Sequence, residues 1–449
     1  MKGSSLRSRR SLTALATAVL IGGALTACGG DNGSEGGGRA GSQASPSAST
    51  SPSASASPSA APRKSYDPPV RFDAEKETRL PDALKVSPED VGQTRFSRAS
   101  FALHKGIAYA SDGNKVSAYD TANGEVVWTA PLSDRPVPEV PVPVVVQLPG
   151  RTVVIAAVGT VTGGTGTSKA SASSTAVVAL DARSGSKQWS EVIDTPGKLI
   201  GADGGAAVFS EGGAVWALDP ATGKRLWDKQ DAGLIDPVYS GGAVVGVVKN
   251  SEEFTVEHHD QPFKAEFTKL VGLSPEDGGK LWEQYARSNT LKARSVGTGV
   301  VQVEATYSSL FGDFGDDSVD VIDVRTGKPR VHLPLDASTG TDDWACSFDE
   351  RSVVVCGIAY TYKRVLAYDV ASGKQLWSLP TADRTSLEVT AAWHGAVYGE
   401  VEGGGPVVLD ARTGADREVK PGVAPAVVDG TVGLVKGNMG SLEAYPAVG

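Results

Sequence analysis

The chain has 449 residues, enough for two or three ordinary domains or for one large all-β domain. Its 43 Lys and Arg against 52 Asp and Glu give a formal balance of −9, which argues against a polyanion-binding platform and makes nucleic acid and acidic substrates poor partners. The 54 Gly and 26 Pro, with an apolar fraction rich in Val, Ala and Leu, suit many short strands joined by turns.

The chain opens on a basic stretch, MKGSSLRSRR, followed by the apolar run SLTALATAVLIGGAL, which is too short to serve as a permanent membrane span. Leu25-Thr26-Ala27-Cys28 then resembles the lipobox of bacterial lipoproteins. The resemblance implies a signal peptide over residues 1–27, cleavage before Cys28, a diacylglyceryl group on its sulfur and an acylated new N-terminus. Two or more acyl chains anchor a protein stably, so the mature chain is expected on the outer face of the cell membrane. Ser8-Arg9-Arg10 with Leu12 also resembles a twin-arginine signal, which leaves two export routes open. Loss of residues 1–27 removes four bases and no acid, moving the balance from −9 to −13.

From Cys28 to residue 64 the chain is rich in Gly, Ser, Ala and Pro, with almost no large apolar residue. Such a segment buries too little surface to offset chain entropy and reads as a disordered tether. Its mean span is on the order of 30 to 35 Å.

Beyond residue 64 one pattern recurs. VSAYDTANGEVVW ends at Trp128, VVALDARSGSKQW at Trp189, VWALDPATGKRLW at Trp227, LVGLSPEDGGKLW at Trp282 and VLAYDVASGKQLW at Trp377. Two copies are degenerate: VDVIDVRTGKPRV carries Val331 at the Trp position, and VVLDARTGADRE carries Glu418 there. The closing LEAYPAVG matches the first half of a further copy. A unit of about 40 residues, with alternating apolar runs and Gly-rich turns before each copy, fits a propeller blade of four strands, A to D.

These copies resemble PQQ-like, or tryptophan-docking, β-propeller repeats, the family that includes BamB-type assembly lipoproteins and quinoprotein dehydrogenases. The resemblance implies an all-β fold over residues 65–449, an eight-bladed propeller with seven blades as the alternative. Elementary chemistry accounts for the motif without a ligand. Asp120, Asp181, Asp219, Asp323, Asp369 and Asp410 can close Asx-type turns, with Ser274 replacing Asp in the fourth copy. Gly124, Gly185, Gly223, Gly327, Gly373 and Gly414 supply a positive φ. Trp128, Trp189, Trp227, Trp282 and Trp377 can wedge between blades and donate their N–H to a backbone carbonyl. An eighth blade ending at the C-terminus lacks its outer strand and leaves an open edge. The extended stretch PVRFDAE, Pro69–Glu75, is expected to fill it.

Three features invite chemistry. Cys346 and Cys356 flank a predicted hairpin in blade 6 and are expected to pair as a disulfide in an exported protein. His258, His259 and Asp260 could suggest a metal, but adjacent strand residues face opposite ways, so a polar hairpin tip is the reading. Asp313, Asp316, Asp317 and Asp320 lack the spacing of a calcium loop and read as a solvated acidic loop. No vicinal Cys-Cys pair occurs, and no calcium ligands or catalytic base of a quinoprotein dehydrogenase can be matched, so neither PQQ nor a metal is expected.

The long insertions in blades 2, 4 and 5 fall between strands B and C, on the face opposite the Asp-x-x-Thr-Gly turns. Those of blades 4 and 5 carry Phe254, Phe263, Phe267, Tyr307, Leu310, Phe311 and Phe314, an apolar set suited to a partner. The sequence therefore points to a monomeric, non-catalytic platform for a protein or envelope component. A small-ligand receptor is the alternative and a quinone enzyme the third reading.

Overall fold

The computed structural model describes residues 63–84, 99–137, 141–161, 173–248, 253–258, 261–266, 268–286, 288, 290–306, 317–334, 344–358, 364–437 and 441–449. They form eight four-stranded antiparallel sheets, plus one two-stranded hairpin. Among the described residues there is no helix. Blade 1 shows the plan: Phe101–His104, Ile107–Ser111, Lys115–Asp120 and Val126–Pro131 are strands A to D in spatial and chain order. Blades 2 to 7 repeat it, and successive A strands touch around the inside of the ring. Each blade is an up-and-down meander, so A–B hairpins and C–D turns share one face, and B–C loops share the other with the links between blades.

The apolar pattern explains why the sheets assemble side by side. Strands B and C are buried on both sides, as in Val153 to Val158 and Ala214 to Leu218. Each blade therefore hands an apolar face to both neighbours. One cluster joins Ile155, Val177 and Ala179 of blade 2 to Phe209 and Trp216 of blade 3. Another joins Ala217 and Trp227 of blade 3 to Val244 and Val271 of blade 4. Equivalent clusters fill the remaining seams. The core is thus a ring of seams.

Blade 8 closes that ring. Val427–Val428, Val432–Lys436 and Leu442–Pro446 supply its first three strands, and Thr78–Arg79 supplies the fourth, with Thr78 opposite Ala444 and Arg79 opposite Glu443. The closing strand lies just beyond the Pro69–Glu75 stretch picked from sequence. The reason is local: a turn in which the Lys76 N–H donates to the Asp73 carbonyl at 3.1 Å breaks the run. Pro69–Glu75 still meets the C-terminus, through a bridge between Phe72 and Ala447 and the Val70 N–H to Gly449 O bond of 2.7 Å.

The segment before it is strapped over the turn face. The Arg63 guanidinium bonds the Gly106 carbonyl at 2.8 Å and pairs with Asp120 of blade 1. The Tyr66 N–H donates to the Gly430 carbonyl of blade 8 at 2.7 Å. Asp67 pairs with Arg351 of blade 6 at 2.6 Å and with His394 of blade 7.

In blade 6, Cys346 stands opposite Cys356 in the A–B ladder and the two are joined by a disulfide. It closes a loop of sequence separation 10. Chain-entropy arguments assign such a loop roughly 2 to 3 kcal/mol. Replacing both cysteines by serine should lower stability by about that amount in urea melts, and dithiothreitol should destabilise the native chain but not the variant.

Candidate binding surface

The repeated motif assembles into one joint used again and again. In the third copy the Asp219 carboxylate accepts the Ala221 N–H at 2.7 Å, and the Gly223 N–H donates to the Asp219 carbonyl at 2.8 Å. Asp410 accepts the Thr413 N–H at 2.9 Å and its hydroxyl at 3.0 Å, and Asp181 takes the Ser184 N–H at 2.8 Å. Each docking Trp reaches into the turn of the following blade. Trp128 Nε1 donates to Ala182 O at 3.1 Å, Trp189 to Pro220 O at 3.0 Å and Trp227 to Pro275 O at 2.7 Å. Trp282 donates to Val324 O at 2.7 Å and Trp377 to Ala411 O at 2.8 Å. The acceptor is in every case the residue after the turn's Asp, or after Ser274 in the fourth copy.

The turn glycine has a second duty that spacing does not reveal. Gly185 has φ +69°, and a Cβ there would meet the Trp128 ring at 2.6 Å; at Gly223 it would meet the Trp189 ring at 2.7 Å. The indole therefore needs a bare glycine in the next blade. Where Trp is missing the joint changes. Val331 is buried at the position opposite Val321, and a Cβ on Gly373 would instead meet the Arg330 carbonyl at 2.5 Å. Past Glu418 there is no further C–D turn, and the seam is made by Phe72, Tyr398 and Tyr445. Burial pushes the Tyr398 hydroxyl up, keeping it a donor to Pro69 O at 2.7 Å.

The turn carboxylates of Asp369 and Asp323 are among those held below the usual range. The Ser372 hydroxyl and N–H, then Arg412, stabilise the Asp369 anion. At Asp323 burial pulls upward, but hydrogen bonds from Arg330 and Thr326 outweigh it. A depressed folded value means the contribution is complete above the ordinary carboxylate range and is lost as pH falls through it. Urea midpoints should therefore drop between pH 5 and pH 3, and Asp369→Asn should flatten that part of the profile.

The other candidates separate. Phe254 and Phe263 lie in the hairpin Glu253–His258 and Gln261–Glu266, which is inserted between the B and C strands of blade 4. Phe267, Tyr307, Leu310, Phe311 and Phe314 lie outside the described residues, as do His259, Asp260, Asp313 and Asp316. Asp320 accepts from His332 Nδ1 at 2.7 Å across strands C and D of blade 5, an ordinary cross-strand pair. Among the described residues no three His, Cys, Asp or Glu side chains converge to hold a metal ion, and the paired cysteines stand on different strands.

A family model described as outer membrane protein assembly factor BamB matches residues 85–229 and 230–418. The chain belongs to the BamB family. Among solved structures, BamB from Moraxella catarrhalis is 14% identical, with 77% of this chain and 95% of that one covered and a TM-score of 0.40. A quinohemoprotein alcohol dehydrogenase from Comamonas testosteroni is also 14% identical, covering 86% and 76%, at 0.40. The computationally designed protein Ika8 is 14% identical, covering 77% and 95%, at 0.45. No curated protein matches.

Proposed function

We propose that the chain is a lipoprotein, anchored through Cys28 on the outer face of the cell membrane, whose propeller binds a protein partner without catalysing a reaction. One observation carries the reading: the repeated Asp, Gly and Trp that could pass for a cofactor site are all consumed in joints between blades. What remains for function is surface. The BamB family match supports the same reading.

Cys28→Ser should move the protein from the membrane fraction to the soluble exported fraction. Photo-reactive residues placed at exposed positions of the B–C face, Asp112 and Glu402, should trap a protein partner on intact cells. Reconstitution with pyrroloquinoline quinone and calcium should give no dye reduction with alcohols or glucose; turnover would overturn the non-catalytic reading.

A further inference from the structure

The residue before the turn glycine changes from copy to copy. It is Ser184, Thr222, Thr326, Ser372 and Thr413 in five turns, but Asp277 in blade 4 and Asn123 in blade 1. All four residue types can hydrogen-bond forward within a turn, so the fold accepts each of them. Only Asp-Gly and Asn-Gly are chemically labile. A glycine nitrogen has no side chain beside it to block its approach to the side-chain carbonyl carbon of the residue before.

The structure separates the two labile turns. Gly278 is buried under the Trp227 ring, which a Cβ there would meet at 2.8 Å. The Asp277 carboxylate accepts the Gly279 N–H at 2.8 Å, and that bond, with one from Ser274, holds it below the usual range. An ionised carboxylate resists attack by nitrogen, so this turn is protected twice.

Asn123-Gly124 has neither protection. Its turn receives the outer strand of blade 8, Thr78–Arg79, which carries no indole. The first atom a Cβ on Gly124 would meet is the Arg79 carbonyl oxygen, at 3.2 Å. Asn123 is exposed and its carboxamide carries no charge. Glu125, also exposed, clasps it: the Glu125 N–H donates to Asn123 Oδ1 at 2.9 Å, and Asn123 Nδ2 donates to Glu125 Oε2 at 2.9 Å. Exposed bonds of this kind open on small local fluctuations.

We propose that Asn123 deamidates spontaneously in the folded chain, and that its isoaspartyl product loosens the joint on which the ring closes. Hydroxide takes the Gly124 N–H proton, and the nitrogen forms a bond to Asn123 Cγ. The bond from Cγ to Nδ2 breaks, and ammonia leaves with a proton from water, which closes a cyclic imide. Water then opens the imide at either carbonyl. One route gives aspartate; the other gives isoaspartate, whose main chain runs through the former side chain and is one carbon longer. Neither step oxidises or reduces the chain.

The longer main chain falls where the closing strand docks. Thr78 Oγ1 donates to the Ala122 carbonyl at 2.8 Å, and the Arg79 carbonyl lies against Gly124. The bond from the Gly124 N–H to the Asp120 carbonyl, 2.8 Å long, spans the turn and cannot keep its geometry with an extra carbon inside it. Aspartate, by contrast, fits, since Asp277 fills the same place in blade 4.

The test ages the full chain in warm, mildly alkaline buffer and maps its peptides by mass spectrometry. Two asparagines serve as internal references: Asn114, which precedes a lysine, and Asn32 of the other Asn-Gly pair, outside the described residues. Acid should appear at Asn123 after Asn32 and before Asn114, faster as pH rises, with isoaspartate among the products. The aged chain should melt at a lower temperature than the fresh one. Asn123→Ser, which installs the residue that blades 2 and 6 carry, should keep its melt on ageing. Asn123→Asp should melt as the fresh chain does, which places the loss in the lengthened main chain. The proposal is overturned by an intact Asn123 when Asn32 has fully converted, or by aspartate without isoaspartate. An equal loss in aged Asn123→Ser, or a fresh Asn123→Asp that melts as low as the aged chain, overturns it as well.

Discussion

Trp227→Ala is expected to lower the free energy of unfolding by about 3 to 5 kcal/mol, the usual range for a buried aromatic removed from a core. The side chain is 9% exposed and lies among Val215, Leu234, Val244 and Val271, so its loss opens a cavity across a seam. The Pro275 carbonyl also loses its donor. Gly278 cannot relax inward to fill the gap without giving up its φ of +69°. Urea melts with an unchanged m-value would place the effect in the folded state. A loss below about 1 kcal/mol would mean the seam is held by the surrounding aliphatic side chains rather than by the indole. Trp227→Phe supplies the control: it keeps most of the apolar volume and deletes only the N–H bond, so it should cost less than the alanine variant.

Removal of residues 1–79 should have the larger effect. A chain starting at Arg63 is expected to melt as the full chain does; one starting at Leu80 should lose its cooperative transition and aggregate. The difference is the strand that completes blade 8, with Phe72 at 4% exposure in the seam, and the strap over the turn face. Burial of one Phe contributes roughly 1.5 to 3 kcal/mol, and stranding the buried Tyr398 hydroxyl costs about 1 to 3 more. Two buried groups alone therefore approach a large part of the ~5 to 15 kcal/mol that holds a typical domain together. The bare edge of Leu442–Pro446 would then be free to pair with another molecule. A synthetic peptide of residues 63–79 should restore the transition in trans, as seen by calorimetry. A truncated chain that melts like the full one would show that closure is dispensable.

The sequence carried the architecture because the fold is periodic: a turn and a glycine recur at fixed spacing in seven copies, and an indole follows in five of them. What it concealed lies between blades. The packing of Gly185 on Trp128 joins residues in different repeats, and no pattern within one repeat announces it. The closing strand was misplaced by a few residues because Pro69–Glu75 and Thr78–Arg79 are both extended, and only the turn at Asp73 to Lys76 decides which one completes the ladder. The strap at Arg63 and Asp67 gave no signal, since an isolated charge next to a Pro-rich stretch looks like part of a tether.

The pairing of Thr78 with Ala444 sets an order of events in time. Contacts such as that between Glu77 and Tyr445 join residues 368 apart, so loop-closure entropy must be met before they form. The first strand made by the ribosome is the last to find its place. Until the final residues emerge, blades 1 to 7 can meander locally, but the nascent domain stays an open arc with two raw ends. Long-range closure of this kind slows folding and exposes sticky edges meanwhile. The slowest folding phase should therefore shorten when the ends are joined through a circular permutation that opens the chain in a link between two blades, so that the four strands of every blade are contiguous.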